Sequence, residues 1–266
     1  MLFALILSCA GKKTKISNTL NLRHVKDLSI DAVFKNFEHP SKIEVIILDS
    51  LDLIEVPKSI TRFTNLKHLS LACNPKLNLD QTIEQINALP IEFLNLQKNQ
   101  ITELPSNLPS LRSLTDINLA YNQLIKEINY QILGQVENLN EVWLDHNDLY
   151  ELPQSIRELS QISRLYIGHN QLEILPKELV NMTRLKVLHA EYNNIKLFPE
   201  VFLETPSLLL VHLNNNRITK VPTSFAEHKT SVKGLILDNN PISEEERTWI
   251  EKEFSNFFLL SIQNNK

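Results

Sequence analysis

The sequence predicts an α/β repeat solenoid built from stacked copies of one short unit. The first observation is a pattern of roughly 23 residues that recurs through most of the 266-residue chain, a period typical of stacked repeats. The second is an asparagine that returns at the same phase of the pattern in eight copies. The third is the alternation of apolar and polar residues just before each asparagine, as in a half-buried strand.

The clearest copy of the pattern is Leu139–Gln161, which reads LNEVWLDHNDLYELPQSIRELSQ. Successive side chains of a strand point to opposite faces, so positions four and six point into the core while positions three, five and seven point outward. The asparagine at position nine, Asn147, lies where the chain leaves the sheet, and its amide is placed to bond backbone groups of its own and the neighbouring turn. Stacked copies therefore predict a ladder of such bonds from Asn74 to Asn240.

Nine clear repeats occupy 43–242, and a degenerate copy at 17–42 precedes them as an N-terminal repeat or cap. The clear copies begin at Ile43, Leu66, Ile91, Leu114, Leu139, Ile162, Leu185, Leu208 and Val232. The first carries Leu51 where the later ones carry asparagine. Such divergence is expected near the ends of a solenoid, where one face of the unit meets water or a cap.

The period stops after Ile242, and 243–266 is predicted to be a C-terminal cap of one helix and one strand. Ser243 with Glu246 forms a capping box that opens the helix. The apolar run Phe257–Ile262 is predicted to be a closing strand or a hairpin partner. A cap is expected because the open end of a solenoid needs covering; a helix that binds a partner or a membrane surface is the alternative.

Residues 1–16 are predicted to be an export signal and a tether. The apolar run Leu2–Leu7 is far shorter than the ~20 residues that a membrane-spanning helix needs. A short apolar run that ends in a small residue before a cysteine resembles a bacterial lipoprotein signal, which implies that Cys9 becomes the lipidated first residue of the mature protein. Association with a membrane is then expected only through this anchor. The alternatives are another exported form and a buried N-terminal strand in a cytosolic protein.

The composition excludes several classes of function. A net charge of −4 and a pI near 6.1 leave no electrostatic footprint for nucleic acid. Four scattered glycines form no phosphate-binding loop, so no nucleotide cofactor is expected. The two cysteines, Cys9 and Cys73, cannot supply the disulfide-bonded caps of secreted animal repeat proteins. A cytosolic protein or a bacterial export product remains.

The repeat is the leucine-rich-repeat signature and resembles its 23-residue class, with LPxxIxxLxx in the convex half. The resemblance covers Ile43–Ile242 and extends to repeat proteins of bacteria, surface-exported ones included, and to intracellular Ras-associated repeat proteins. It implies a curved horseshoe arc with a parallel sheet on its concave side. Its convex segments are then expected to be short 3₁₀ turns or extended pieces rather than long helices.

The outward positions of the concave sheet are the predicted binding site. Aromatic side chains there have no core to fill, and Trp, Tyr and Arg are enriched in binding hot spots. The predicted partner-binding residues are Phe93, Glu141, Arg164, Val187 and Leu210 at position three, Trp143, Tyr166, His189 and His212 at position five, Asp145 and Glu191 at position seven, and Tyr121, His146, His169 and Tyr192 at position eight. With strands ~4.8 Å apart, positions five and eight each predict a row of rings.

The acidic residues around Arg164 suit a polypeptide of mixed or basic character. The alternative is cross-strand pairing that only stabilises the sheet.

No metal site and no cofactor are predicted, because the sequence contains no local metal motif. The pairs His146 and His169, and His189 and His212, are nevertheless weak candidates. Each pair lies on adjacent repeats, close enough to share an ion with an acid at position seven as a third ligand.

The predicted function is a non-enzymatic protein–protein interaction module, displayed on a bacterial envelope as a lipoprotein. No enzyme activity is expected, because spacing fixes no Cys–His pair and a flat exposed sheet has no pocket that excludes water. The alternatives are a cytosolic scaffold or signalling protein and an assembly linked by metal through the histidine rows. The sequence predicts neither the identity of the partner nor the oligomeric state.

Overall fold

The computed structural model describes residues 18–23, 29–228 and 230–263, so the predicted signal and tether at 1–16, with Cys9, lie outside the described residues. The described residues form one parallel sheet of eleven strands in which each strand pairs with the next along the sequence. The strands are β1 Thr19–Asn21, β2 Val45–Ile47, β3 His68–Ser70, β4 Phe93–Asn95, β5 Asp116–Asn118, β6 Glu141–Trp143, β7 Arg164–Tyr166, β8 Val187–His189, β9 Leu210–His212, β10 Gly234–Ile236 and β11 Leu259–Ser261. Equivalent positions of neighbouring repeats face each other, as Trp143 faces Tyr166.

The convex side carries short helices of two kinds. The 3₁₀ helices are Pro40–Lys42, Lys58–Arg62, Leu108–Ser110, Gln154–Glu158, Lys177–Asn181 and Glu200–Leu203. The α-helices are α1 Ile30–Asn36, α2 Leu79–Ile86, α3 Glu127–Gly134, α4 Thr223–Glu227 and, after the last repeat, α5 Glu244–Glu253. The predicted 3₁₀ turns are therefore present, and short α-helices replace them in some repeats.

Repeat length explains where α2 and α3 form. They lie in Leu66–Pro90 and Leu114–Asn138, which are each two residues longer than the copy Leu139–Gln161. An α-helix rises ~1.5 Å per residue and a 3₁₀ helix ~2.0 Å, so eight α-helical residues span about the same length as six 3₁₀ residues. The longer repeats thus fit their extra residues into the same convex distance.

The interior of the solenoid contains the predicted apolar positions. In the copy Leu139–Gln161, Val142 and Leu144 point inward from the strand and are fully buried, and Ile156 and Leu159 are fully buried from the convex side. Equivalent residues of the other repeats join them in one continuous hydrophobic core. The core fixes the register of every strand, because a slip by one residue would turn the outward side chains inward.

The predicted asparagine ladder is confirmed by the hydrogen bonds of the position-nine side chains. The Oδ1 atom of Asn170 accepts from the backbone N–H groups of Asn147 at 2.8 Å and Leu149 at 3.1 Å. Its Nδ2 atom donates to three backbone carbonyls, each at 3.0 Å. Each asparagine thereby joins its own turn to the turn of the preceding repeat.

The last strand and helix follow the final repeat. The Ser243 hydroxyl accepts from the Glu246 backbone N–H at 3.2 Å, and α5 begins there. The Glu246 side chain accepts from the N–H of Val221 at 2.8 Å, so it ties α5 to the preceding repeat instead of closing a reciprocal box. Ile250 and Phe254 of this segment are buried. Strand β11 runs parallel to β10 and is therefore not part of a hairpin.

Candidate functional site

Four aromatic side chains at position five form a stacked row along the concave face, which we call the inner row. Trp143, Tyr166, His189 and His212 stand on the consecutive strands β6 to β9. The distances between successive ring centroids are 4.9, 4.4 and 4.0 Å, and the planes of each pair are within 10°, 13° and 26° of parallel. Their spacing follows the distance of ~4.8 Å between neighbouring strands. The row predicted from the register is confirmed.

Four further side chains at position eight form a second stack, the outer row. Tyr121, His146, His169 and Tyr192 have centroid distances of 4.0, 4.3 and 4.2 Å, with interplanar angles of 12°, 14° and 11°. The Nζ atom of Lys98 lies 4.6 Å from the centroid of Tyr121 and extends the outer row by a cation–π contact. This second predicted row is also confirmed; the role of both rows in binding stays a prediction.

The backbone of the outer row is left-handed. The φ angles of Tyr121, His146, His169 and Tyr192 are 58°, 54°, 52° and 53°. Position eight has a positive φ in all nine clear repeats, so the turn after the strand imposes this conformation. It costs an ordinary residue ~1–2 kcal/mol, and asparagine or glycine tolerates it better. Histidine adopts this conformation more readily than tyrosine, so the turn explains Tyr121 and Tyr192 least well. A role for the stacked rings stays a prediction.

An acidic notch lies on the same face, formed by Asp145, Gly168 and Glu191 at position seven of three consecutive repeats. The Oδ1 atom of Asp145 accepts from the backbone N–H of Gly168 at 3.0 Å. A Cβ placed on Gly168 would lie 3.0 Å from that oxygen and 3.3 Å from Cδ of Glu191. The missing side chain thus leaves a gap between the two carboxylates.

The two acids of the notch have shifted pKa values. Burial, and then the negative charge of Glu191, raises the pKa of Asp145 to about 6. Burial also acts to raise the pKa of Glu191, but the neighbouring His189, the Glu191 backbone N–H and His212 outweigh it, and the net pKa shift is downward. The notch therefore concentrates negative charge on the inner side of the concave surface.

Position three lines the other side of the inner row. Arg164 forms an ion pair with Glu141, which occupies the facing position on the preceding strand. Val187 and Leu210 continue the line as half-buried apolar side chains. At the opposite end of the surface, Phe93 on β4 has its ring centroid 6.1 Å from that of Trp143 in an edge-on contact. Because Glu141 offsets the charge of Arg164, this ion pair adds little net charge to the surface.

Burial shifts the pKa values of His146 and His212 in the same direction. Burial, and then the charge of His169, lowers the pKa of His146. Burial, followed by the charge of His189, lowers the pKa of His212. Both rings therefore favour the neutral form, which offers a nitrogen lone pair to a donor or a metal.

In the described part of the chain, one cluster of three side chains could ligate a metal ion. Ligand atoms of His189, Glu191 and His212 all lie within 4.8 Å of one another. The pair His146 and His169 stacks at 4.3 Å but belongs to no such cluster among the described residues. Of the two histidine pairs singled out from the sequence, only the inner one is accompanied by a suitably placed carboxylate.

All the predicted partner-binding residues lie on strands β4 to β9 or in the turns that follow them, on the concave side. Sequence reasoning placed Asp145 and Glu191 on this face but did not recognise the gap at Gly168. The available signal was a glycine at position seven, between an aspartate and a glutamate in the neighbouring repeats.

No protein-family profile matches the chain. It is 27% identical to Toll-like receptor 1 of Homo sapiens, in an alignment that covers 51% of this chain and 20% of the receptor. It is 34% identical to fibromodulin of Sus scrofa over 38% of this chain and 60% of that protein. A leucine-rich-repeat and calponin-homology protein of Drosophila melanogaster is 32% identical over 41% of this chain and 16% of its own length. The chain thus spans about a fifth or less of the first curated relatives that it matches.

Among solved structures, an internalin from Listeria monocytogenes superposes with a TM-score of 0.60 at 16% sequence identity, over 90% of this chain and 72% of that chain. These relatives are leucine-rich-repeat proteins, and the predicted leucine-rich-repeat solenoid is confirmed. Proteins of this repeat class are generally non-enzymatic binding modules, so the relatives support a protein-interaction module. In the described part of the chain, no helix has the length and apolar character needed to cross a bilayer.

Proposed function

We propose that this chain is a non-enzymatic module that binds a polypeptide across its concave face. The observation that carries the proposal is the pair of stacked aromatic rows with the acidic notch on the same face. A solenoid can bury its apolar residues inside, so rings on an outward face contribute to no core. The leucine-rich-repeat relatives support the same class of function.

The stacked rings suit binding for an energetic reason. A side chain loses conformational freedom when it enters an interface, at a cost of ~0.5–1.5 kcal/mol for one with many rotamers and less for an aromatic ring. Trp143 and Tyr166 are already held in place by each other, with centroids 4.9 Å apart. The outer row is held in the same way. A partner therefore meets a surface that is largely ordered before contact.

The charges of the surface define the chemistry of the partner. The acidic notch offers two partly buried carboxylates, Asp145 and Glu191, while Arg164 is already paired with Glu141. A lysine or arginine side chain that enters the notch would pair with these carboxylates and lie beside the rings, where cation–π contacts add to the attraction. We therefore assign the partner as a segment with apolar and basic residues.

The size of the surface fits an extended segment. From Phe93 on β4 to His212 on β9 there are five strand spacings, which is ~24 Å. An extended polypeptide advances ~3.3 Å per residue, so about seven residues cross the face.

The double substitution of Trp143→Ala and Tyr166→Ala tests the binding site. Its affinity for a purified partner, identified by capture from envelope and host-surface proteins, should fall by more than about tenfold, since aromatic hot-spot residues each contribute ~2 kcal/mol or more. Isothermal titration calorimetry measures the affinity, and circular dichroism shows whether the variant keeps the fold. Tyr150→Ala is the matched control, because Tyr150 is 68% exposed and lies outside the two rows. Equal affinity of the double variant and the control would remove the concave face from the binding site.

Display on a bacterial envelope through a lipid on Cys9 is the second part of the proposal. It is supported by the apolar run Leu2–Leu7 followed by a small residue and the cysteine. Mass spectrometry of the protein from its native source tests it. An acylated N-terminus at Cys9 supports export and anchoring. An intact Met1 contradicts both and favours the cytosolic scaffold.

A further inference from the structure

We propose that His189, Glu191 and His212 form a binding site for a divalent transition-metal ion of the Zn²⁺ type. Two imidazole nitrogens with one carboxylate oxygen form a ligand set that zinc accepts, with a fourth position left for water or another donor. The site shares its three ligands with the proposed partner-binding surface, but it is tested with the metal ion alone, so either proposal can fail without the other.

The register of the sheet brings the three ligands together. His189 on β8 and His212 on β9 are directly paired positions, with ring centroids 4.0 Å apart. Glu191 follows His189 by two residues, and its side chain is on the same face. The ligand atoms of all three residues lie within 4.8 Å of one another. No backbone movement is needed to bring them near a shared ion.

Metal binding requires the two rings to turn. The lone pair of an imidazole nitrogen lies in the ring plane, so two parallel rings direct their lone pairs side by side and not at one point. The pair His189 and His212 is the least parallel of the inner row, at 26° compared with 10° and 13° for the other two pairs. Zinc–nitrogen and zinc–oxygen bonds of ~2.0–2.2 Å place the ligand atoms about 3.4 Å apart. His189 and Glu191 are already close to this separation at 3.5 Å, and the most distant pair of ligand atoms has to approach by roughly 1.4 Å at most. Side-chain rotation at the end of the row can supply it.

One oxygen of the Glu191 carboxylate has only a distant partner. The Oε2 atom of Glu191 is buried, and no hydrogen bond within the described residues reaches it. It lies 3.5 Å from Nδ1 of His189, beyond the length of a well-formed hydrogen bond. This buried oxygen is therefore open to a closer partner, and coordination to a cation would supply one.

The outer row provides the internal comparison. His146 and His169 stack at 4.3 Å on adjacent repeats, as His189 and His212 do, but no carboxylate completes a three-ligand cluster with them among the described residues. If two stacked histidines were sufficient to bind the ion, both histidine pairs would bind it. If the carboxylate is also required, only the pair His189 and His212 binds it.

Calorimetric titration of the untagged protein with Zn²⁺ tests the site, and Co²⁺ serves as a spectroscopic probe of the coordination geometry. We expect one equivalent to bind with a dissociation constant in the micromolar range or below, which corresponds to ~8 kcal/mol of binding free energy. Glu191→Gln and His212→Ala should each weaken binding by more than about tenfold. The double variant His146→Ala and His169→Ala should bind as the unmodified protein does.

The opposite results overturn the site. If no binding is detected at ~0.1 mM Zn²⁺, the binding free energy is smaller than ~5.5 kcal/mol and the proposed site is not a specific metal site. Equal losses in the inner-row and outer-row variants show adventitious binding by surface histidines. Glu191→Gln keeps the shape of the side chain, and circular dichroism of each variant separates loss of ligand from loss of fold.

Discussion

The carboxylates of Asp145 and Glu191 lie on either side of Gly168, in three consecutive repeats, and a Cβ on the glycine would come within 3.0 Å of Oδ1 of Asp145 and 3.3 Å of Cδ of Glu191. Their negative charges interact through the gap, and burial together with that interaction raises the pKa of Asp145 to about 6. The arrangement that we propose to attract a basic partner therefore reduces the stability of the folded chain when both groups are ionised.

Asp145→Asn should stabilise the protein at neutral pH. The pKa of Asp145 is about 6 in the folded state and near 3.8 in the unfolded state, so the folded state binds the proton more tightly. Ionisation then costs stability progressively as the pH rises from about 4 to 6, and the cost is complete above about 6. At pH 8 the variant should gain about 1–3 kcal/mol in the free energy of unfolding.

Urea unfolding of the two proteins at pH 4 and pH 8 measures this difference. The gain should disappear at pH 4, where Asp145 is largely protonated in the folded state. Asp148→Asn is the control, because Asp148 is exposed and nearby. A gain of the same size at both pH values would contradict the raised pKa.

Asn170→Ala should destabilise the solenoid by about 2–4 kcal/mol. The substitution removes five hydrogen bonds and leaves the backbone N–H groups of Asn147 and Leu149 buried without an acceptor. Chemical denaturation gives the change in unfolding free energy. Asn181→Ala, at an exposed position, should change it by less than about 0.5 kcal/mol. Similar values for the two variants would show that the ladder contributes little.

His169→Gly should be more stable than His169→Ala by about 1 kcal/mol. Both variants lose the stacked contacts with His146 and Tyr192, at 4.3 and 4.2 Å, so those losses cancel in the comparison. What differs is the backbone, whose φ of 52° suits glycine and strains alanine. Thermal or urea unfolding of the two variants measures the difference in their stability. An alanine variant as stable as the glycine variant would show that position eight relaxes without its ring.

Much of the fold could be predicted from the sequence, because each repeat has the same pattern of apolar, polar and asparagine positions. The strands, the buried positions and the asparagine ladder follow from the period and from the alternation of side chains in copies such as Leu139–Gln161. The two aromatic rows also follow, since an in-register sheet places Trp143 beside Tyr166 by counting alone. The α-helices α2 and α3 were not anticipated, although the greater length of their repeats was visible.

The repeat pattern gives the position of each residue in its repeat but not the distances between side-chain atoms, and the details of the candidate site depend on those distances. The sequence showed two histidine pairs as equivalent, and the structure separates them by the position of one carboxylate, Glu191. In the sequence, Gly168 is only a residue that departs from the pattern. In the structure, its missing side chain leaves a gap between the carboxylates of Asp145 and Glu191.

The sequence by itself thus determined the architecture of this protein and the face on which its distinctive residues stand, because backbone pairing in a solenoid is repeated and depends on position in the repeat. Only the tertiary structure decided which of those residues act together. Whether Glu191 reaches His189 or Asp145, and whether Arg164 stays free or pairs with Glu141, depends on rotamers and on contacts across neighbouring repeats. Those contacts are set by packing between side chains that differ from repeat to repeat.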